Sequence, residues 1–142
     1  GSAQMDRAKQ IVDERRRIAA RYDKAFSDLD LLRTPLCPEG YQHGYQSYPC
    51  MFRPDNLGLN NVKEINSARN LWMESLQQAG ISTRPATHAV HMLSYYKNKY
   101  EISPEDFPNA HIANDCSISL PLFHGMTDVE QDYVIECVLQ SF

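Results

Sequence analysis

The most regular feature of the sequence is an apolar repeat in residues 60–79, and this repeat constrains the fold more than any other segment. Apolar side chains recur there at intervals of three and four residues, at Val62, Ile65, Ala68, Trp72, Leu76 and Ala79. This spacing places them on one face of an α-helix, and such a face needs a partner surface to cover it. Gly80 follows directly and is typical of the left-handed cap that ends a helix.

The other segments predict helices and short strands in alternation. Helical patterns over 5–29, 91–100 and 109–116 predict three more helices, with a turn at 103–110 before the third. Thr127 and Glu130 have the spacing of a capping box, which predicts a last helix running almost to Phe142. We expect strands at 45–54, 81–85 and 117–123, and a loop at 34–44 where prolines and glycines interrupt the pattern. Pro49 lacks an N–H donor, so the first of these strands should be an edge strand or contain a bulge.

This order of elements predicts an α/β domain in which helices cover one face of a small antiparallel or mixed sheet. A chain of 142 residues is long enough for one domain with a real core. The segment "GSAQ" at residues 1–4 is typical of a cleaved tag remnant, so we expect the domain to span 5–142. Its first helix carries a run of arginines, interpreted as a solvated face or, alternatively, as a partner surface: Arg15, Arg16, Arg17 and Arg21.

Composition argues against several classes of protein. The net charge of −4 disfavours a nucleic-acid-binding surface, which needs a basic face. No apolar run approaches the roughly 20 residues of a membrane-spanning helix. None of the four cysteines forms a C-x-x-C pair, and Cys116 and Cys137 lie within apolar patterns as expected for buried thiols. Free thiols favour a reducing, cytoplasmic location.

The segment "GISTRPATHAVH", residues 80–91, places an unusual number of polar side chains directly after a helix end. These are Thr83, Arg84, Thr87, His88 and His91. They either satisfy one another in a polar loop or face a ligand, and their pattern alone leaves both interpretations open. His88 and His91 form H-x-x-H, but no third ligand is nearby in the sequence, so we do not predict a metal site.

The other histidines and the standard motifs add little. His111 lies between apolar neighbours in a predicted helix and is expected to be packed, whereas His43 and His124 are expected at the surface. The sequence contains no G-x-S-x-G elbow, P-loop or G-x-G-x-x-G fingerprint.

A family resemblance goes further than these patterns. The segments "GISTRPATHAVH", "YYKNKY", "DFPNA" and "SLPLFHGMTDVEQDYVIECV" closely resemble the C-terminal region of the DegT/DnrJ/StrS sugar aminotransferases. The resemblance begins at "RRRIAARYDKAF" and continues through "GYQSYPCMF", so it covers nearly the whole chain. Members of this family are pyridoxal-phosphate (PLP) enzymes of fold type I that commonly make amino sugars on nucleotide carriers. The resemblance implies their α/β C-terminal domain, beginning with an interdomain helix at 5–29.

The resemblance also implies which parts of such an enzyme lie elsewhere. In the family a separate large domain holds PLP and its Schiff-base lysine. None of the five lysines of this chain lies in a segment of that kind: Lys9, Lys24, Lys63, Lys97 and Lys99. We therefore expect no catalytic residue here, no PLP bound by this chain alone, and activity only with the large domain. The implied partners are a nucleotide-linked keto-sugar, an amino donor and a second copy of the enzyme in a homodimer. The alternative is a non-catalytic stand-alone domain for binding or assembly.

By the same resemblance, two loops supply candidate substrate-binding residues. The first contributes Arg84, Thr87, His88 and His91, and the second contributes His43, Tyr45 and Ser47. The planar guanidinium of Arg84 suits a phosphate or another acidic group of a nucleotide-sugar. The family usually has a histidine where this chain has Ala86, and His88 stands two positions later. Without the large domain, we expect Ile11, Ile18 and Tyr22 of the first helix to form a self-association surface.

Overall fold

The computed structural model describes residues 5–55 and 57–141. The predicted tag remnant, residues 1–4, lies outside the described residues, as does Phe142. In chain order the elements are α1 (Ala8–Ala25), β1 (Leu32–Arg33), β2 (Tyr48–Phe52), α2 (Val62–Gln78), α3 (Ser94–Tyr100), α4 (Pro108–Cys116), β3 (Ser117–Leu120) and α5 (Asp128–Gln140). Short 3-10 turns at Val90–Met92 and Pro104–Asp106 precede α3 and α4.

The predicted helices are confirmed, with shorter bounds than expected for α1 and α3. Helix α2 ends as its sequence indicates, because Gly80 adopts a φ of 79° that other residues rarely adopt. The Gly80 amide donates to the Gln77 carbonyl, and the Ile81 amide donates to the Leu76 carbonyl at 2.8 Å. These two bonds form a Schellman motif, in which the buried side chains of Leu76 and Ile81 supply the usual apolar contact.

The sheet is antiparallel with the order β1-β2-β3, which confirms the predicted fold class. The expectation that Pro49 marks an edge strand or a bulge is wrong, because β2 is the central strand and pairs with β3 residue for residue through Pro49. Proline is tolerated there because β1 pairs only with Phe52 and Met51 and does not reach Pro49. On the other side Pro49 lies opposite Ser119, whose own amide and carbonyl bond to Arg84. The missing donor of Pro49 therefore costs the sheet no ladder bond.

The expected strand at 81–85 is wrong as well. Only Arg84 pairs with the sheet, through an isolated antiparallel bridge to Ser119. The bridge does not continue to the next hydrogen-bonding position, because the Ala86 amide donates to the Ser117 hydroxyl at 3.2 Å instead of to the Ser117 carbonyl. Strand β3 ends at Leu120, which lies opposite Tyr48 at the start of β2, so it is shorter than the expected 117–123.

The core lies on one face of the sheet. Tyr48, Cys50 and Phe52 alternate as predicted and are buried, whereas the intervening residues of β2 are only partly buried. The ring of Tyr48 lies 5.0 Å from that of Tyr22 on α1, and the ring of Phe52 lies 5.3 Å from that of Trp72 on α2. Helices therefore cover this face, and α5 adds Val134 and Val138 to the same cluster.

Helix α1 is part of this core rather than an uncovered surface. Ile18 and Tyr22 are fully buried, so the expectation that they form a self-association surface is wrong for these two residues. Ile11 is only partly buried, and for Ile11 the expectation stays a prediction. The arginine face is only partly solvated, because Arg17 and Arg21 form ion pairs with Asp128 and Asp132 of α5. Within residues 5–55 and 57–141, no helix combines the length and apolar character needed to cross a membrane.

Candidate functional site

A cleft of about 810 Å³ lies between the end of α2, the end of β3 and the start of α5. Three stretches build most of its wall: 80–86 after α2, 119–126 after β3, and the first turns of α5. Gln46 and Ser47, just before β2, complete it. The wall is mixed, with apolar side chains such as Leu122, Phe123 and Met126 beside Arg84 and Glu130. Concave sites with apolar walls and a few polar groups are typical of small-molecule binding.

Local structure explains why these stretches meet. The Schellman motif at Gly80 turns the chain from α2 back towards the sheet, and the two Arg84–Ser119 backbone bonds, 3.4 and 2.7 Å, fix it there. Across the cleft, the buried Tyr22 hydroxyl donates to the Pro121 carbonyl at 2.9 Å and holds the segment after β3. Hydrogen bonds therefore hold the backbone in place on both sides of the cleft.

The capping box of α5 places an acid on the opposite wall. The Thr127 hydroxyl accepts from the Glu130 amide at 3.2 Å, and the Glu130 carboxylate accepts from the Thr127 amide at 2.8 Å. The amide and hydroxyl of Thr127 lower the pKa of Glu130 below its usual value, so the carboxylate stays ionised. Tyr133 stands one turn later on the same helix face and donates to the Ala79 carbonyl at 2.9 Å.

Arg84 is the sequence-predicted residue best placed to meet a ligand. Its backbone is held by Ser119, but its exposed guanidinium has no hydrogen-bond or ion-pair partner within the described part of the chain. The guanidinium is a fork of N–H donors that matches a phosphate or carboxylate. Ser47, half-buried on the same cleft, is the second predicted residue that the structure brings to this place.

The other candidates from the first loop lie elsewhere. Thr87 and His88 are exposed beyond the residues that line the cleft. His91 is buried in a 3-10 turn, where its ring lies 5.1 Å from that of Phe107 and its Nε2 lies 3.4 Å from the Pro104 carbonyl oxygen. The contacts of His91 are thus within the fold.

His43 and Tyr45 form a separate pair outside the cleft. The Tyr45 amide donates to Nδ1 of His43 at 2.9 Å, and the two rings lie 4.3 Å apart. The Arg16 side chain donates to the His43 carbonyl at 2.9 Å and ties this loop to α1. Tyr45 is buried with a φ of 43°, and burial raises the pKa of its hydroxyl. The structure therefore divides the seven predicted residues among four places.

Glu130, Tyr133 and Phe123 line the cleft and were missed from the sequence. A signal for two of them was present, because the capping box fixes the first turn of α5 and Tyr133 follows Glu130 at helical spacing. Phe123 has no such signal, since its place depends on the path of the chain after Pro121.

The residues present do not by themselves fit PLP or a metal ion. All five lysines are exposed and none lines the cleft, so the chain offers no buried amine for a Schiff base. Over residues 5–55 and 57–141, no group of three or more His, Cys, Asp or Glu side chains is placed to hold a metal ion. The predicted packing of His111 is found, with its Nε2 3.2 Å from Asp115 Oδ2.

Comparison with known proteins gives the chain its family. The model of the DegT/DnrJ/EryC1/StrS aminotransferase family matches residues 1–139. The spore coat polysaccharide biosynthesis protein SpsC of Bacillus subtilis is 28% identical over 97% of this chain. The aminotransferase TlmJ of Streptoalloteichus hindustanus is 29% identical over 97% of the chain, with a TM-score of 0.78. Spr1654 of Streptococcus pneumoniae, described as a sugar aminotransferase, is 25% identical over 96%, with a TM-score of 0.82.

These matches also show how much of such a protein the chain represents. It spans 34% of SpsC, 33% of TlmJ and 32% of Spr1654. The chain thus corresponds to about a third of each relative, and it matches the fold of TlmJ and Spr1654 over 97% and 96% of its own length. We conclude that this chain belongs to the DegT/DnrJ/EryC1/StrS aminotransferase family.

Proposed function

We propose that this chain is the C-terminal domain, residues 5–142, of a PLP-dependent aminotransferase that acts on a nucleotide-linked keto-sugar. Two observations support the proposal: the family match over residues 1–139 and the coverage of only about a third of each sugar aminotransferase relative. A domain of this size leaves room for a larger domain that holds the cofactor. We place the enzyme in the cytoplasm.

The cofactor belongs, in this proposal, to the large domain. Spr1654 has been solved in apo, PLP and PMP forms, which supports PLP as the group that the full-length protein uses. When bound, PLP supplies the electron sink that aminotransfer requires. The exposed lysines of this chain do not offer its Schiff base, so the chain alone is inactive.

The contribution of this domain is substrate binding, and Arg84 is the observation that carries it. An exposed guanidinium with no partner among the described residues, on a backbone fixed to the sheet, is preorganised to bind an anion of the nucleotide-sugar. Ser47 and the apolar wall of the cleft bind the rest of the ligand. Thr87 and His88, exposed just beyond the cleft, extend the same surface.

The partners follow from the same proposal. The domain packs on the large PLP domain, and the enzyme forms a homodimer that takes an amino donor and a keto-sugar. A surface of exposed aromatic and aliphatic side chains around α3 is suited to such packing: Val90, Leu93, Tyr95, Tyr96, Tyr100 and Phe107. Apolar patches of this kind commonly mark contacts with another domain or subunit.

The substitution Arg84→Ala tests the proposed role of the cleft. In this chain we expect the free energy of unfolding to change by no more than about 0.5 kcal/mol, because the lost side chain has no partner in residues 5–55 and 57–141. In the full-length enzyme we expect KM for the nucleotide-sugar to rise about tenfold or more, the usual cost of a lost charged hydrogen bond. KM for the amino donor should stay unchanged. Denaturant melts and steady-state kinetics measure these quantities.

Arg33→Ala is the matched control, since Arg33 is an exposed arginine on β1 and does not line the cleft. It should leave both unfolding and KM unchanged. His88→Ala should resemble Arg84→Ala in direction. If Arg84→Ala and His88→Ala both lower the stability by more than 1 kcal/mol and leave KM unchanged, the loop is structural and the proposed role is wrong.

A further inference from the structure

We propose that Arg69 of α2 is a positioning residue: it holds the 84–89 segment, and through that segment it sets the place of Arg84 in the cleft. The segment is called the cleft loop below. The effect on substrate rests on the proposed function, whereas the effect on the loop does not.

The first observation is how Arg69 is bound. Arg69 is 4% exposed, and its Nη1 donates to the Ser117 carbonyl at 2.7 Å and makes a longer contact, 3.5 Å, with the Asn114 carbonyl. Its Nε and Nη2 donate to Oδ1 of the adjacent Asn70 at 3.2 and 2.7 Å. Within the described residues Arg69 has no ion pair with a carboxylate. Burying a guanidinium costs desolvation free energy that an apolar side chain of similar volume would not cost. A buried arginine that binds only neutral oxygens therefore needs an explanation other than packing.

The second observation is what the two bound residues do with their side chains. The Ser117 hydroxyl accepts from the Ala86 amide at 3.2 Å, and Oδ1 of Asn114 accepts from the Ala89 amide at 2.9 Å. Arg69 therefore contacts the carbonyls of the two residues whose side chains hold the cleft loop. Two residues further along β3, Ser119 makes the backbone bridge to Arg84.

The third observation is that the cleft loop depends on these bonds. Its side chains Thr87 and His88 are exposed, so they do not anchor the loop through packing. The hydrogen bonds from its backbone to Asn114, Ser117 and Ser119, together with the buried side chain of Ala89, fix its path. A binding group must be held closely in its productive geometry, and a shift of about 1 Å can cost two orders of magnitude in activity. Arg69 thus affects substrate binding by setting the position of Arg84, and Arg69 itself does not contact the substrate.

The test begins in this chain with Arg69→Met, read by amide hydrogen exchange. We expect exchange at Ala86 and Ala89 to become about tenfold faster, whereas amides of α5 keep their rates. Ser117→Ala should accelerate Ala86 alone, because Ala89 keeps its own acceptor. If Arg69→Met does not fold, Arg69→Lys replaces it. This variant keeps the positive charge but loses the several N–H donors of the guanidinium, so it should show a smaller acceleration of exchange at Ala86 and Ala89.

Asn66→Ala is the matched control. Asn66 lies on the same helix and donates to the Asp115 carbonyl at 2.7 Å, in the same turn, but within residues 5–55 and 57–141 Asp115 makes no hydrogen bond to the cleft loop. It should leave exchange at Ala86 and Ala89 unchanged. Equal acceleration in Asn66→Ala and Arg69→Met would mean general loosening of the turn and would overturn the proposal, as would unchanged exchange in every folded Arg69 variant.

The second arm uses the full-length enzyme. Arg69→Met should raise KM for the nucleotide-sugar about tenfold while kcat stays within about twofold, whereas simple loss of folded enzyme would lower kcat and leave KM alone. In an Arg84→Ala background the further change should be small, because both substitutions remove the same interaction. A full additional rise in KM in that background would overturn the positioning role. A third outcome separates the two proposals: Arg84→Ala leaves KM unchanged while Arg69→Met accelerates exchange in the cleft loop. That result would contradict substrate binding by Arg84 and would support the proposal that Arg69 fixes the cleft loop.

Discussion

Two arginines of this domain show how differently one residue type is used. Arg84 has its backbone fixed to Ser119 and its guanidinium free of partners in the described structure, as a ligand-binding group requires. Arg69 is buried, and its guanidinium is bound to the backbone of the 114–117 turn and to Asn70. The residue itself does not decide between these uses. Burial and the available acceptors do, because a buried guanidinium must satisfy its donors.

At the same scale, Thr127 links local sequence to the cleft. We expect Thr127→Ala to lower the free energy of unfolding by about 0.5–2 kcal/mol, because the Glu130 amide loses its acceptor at the start of α5. Denaturant melts measure this change. Thr127→Ser is the control and should keep most of the stability, since it retains the hydroxyl. Equal losses in both variants would show that the methyl group, and not the cap, is responsible.

At the scale of elements, α1 and α5 are held together by polar contacts along their exposed edge. Asp128 accepts from Arg17 at 2.6 Å and lies 2.8 Å from Arg21, which also bonds Asp132. The buried Gln131 side chain donates to the Ile18 carbonyl at 2.7 Å. His124, just before α5, contacts the Glu14 carboxylate of α1 through its ring Nδ1. The arginines of α1 thus fix the helix that carries Glu130 and Tyr133 into the cleft.

These ion pairs predict a dependence of stability on pH. The hydrogen bond from Arg17, followed by the charge of Arg21, lowers the pKa of Asp128 in the folded state below its ordinary 3.8. A lowered folded pKa adds stability that is fully present above the unfolded pKa and is lost as pH falls through the folded pKa. We therefore expect Asp128→Asn to destabilise the domain at pH 7 and to make its stability less dependent on pH below about 4.

Denaturant midpoints measured from pH 7 down to about pH 2 test this expectation. Asp30→Asn is the control, because Asp30 is an exposed aspartate outside the α1–α5 contact. High salt should reduce the difference between Asp128→Asn and the unaltered chain, since exposed pairs are screened. If Asp128→Asn and the unaltered chain lose stability in parallel as pH falls, the pair does not contribute.

At the scale of the whole molecule, the distribution of lysines predicts the response to PLP. Lys9, Lys24, Lys63, Lys97 and Lys99 are all at the surface, away from the cleft. We expect this chain, incubated with PLP and dialysed, to retain no near-visible absorption band and to carry no stoichiometric label after borohydride reduction. The full-length enzyme, treated identically, is the positive control. A band that survives dialysis, with the label mapped to one of these lysines, would contradict the proposal that a separate large domain holds the cofactor.

The periodic elements of this protein could be predicted from the sequence because their signals are local. The apolar repeat of 60–79, the glycine that follows it and the Thr127–Glu130 box all act within a few residues, and the structure confirms each of them. The α/β class followed from the order of those elements. The family resemblance, carried by "SLPLFHGMTDVEQDYVIECV" and its neighbours, was confirmed by the match over residues 1–139.

Tertiary structure decided which residues share a surface. Arg84 and Ser47 meet in one cleft although they are distant in sequence, whereas His91, close to Arg84 in sequence, is buried against Phe107. Pairing between strands also decided that Pro49 stands in a central strand and that 81–85 contributes only a bridge. The physical reason is the same in each case: periodicity determines the local conformation, but the direction of a side chain and the partner of a strand depend on contacts between residues far apart in the chain.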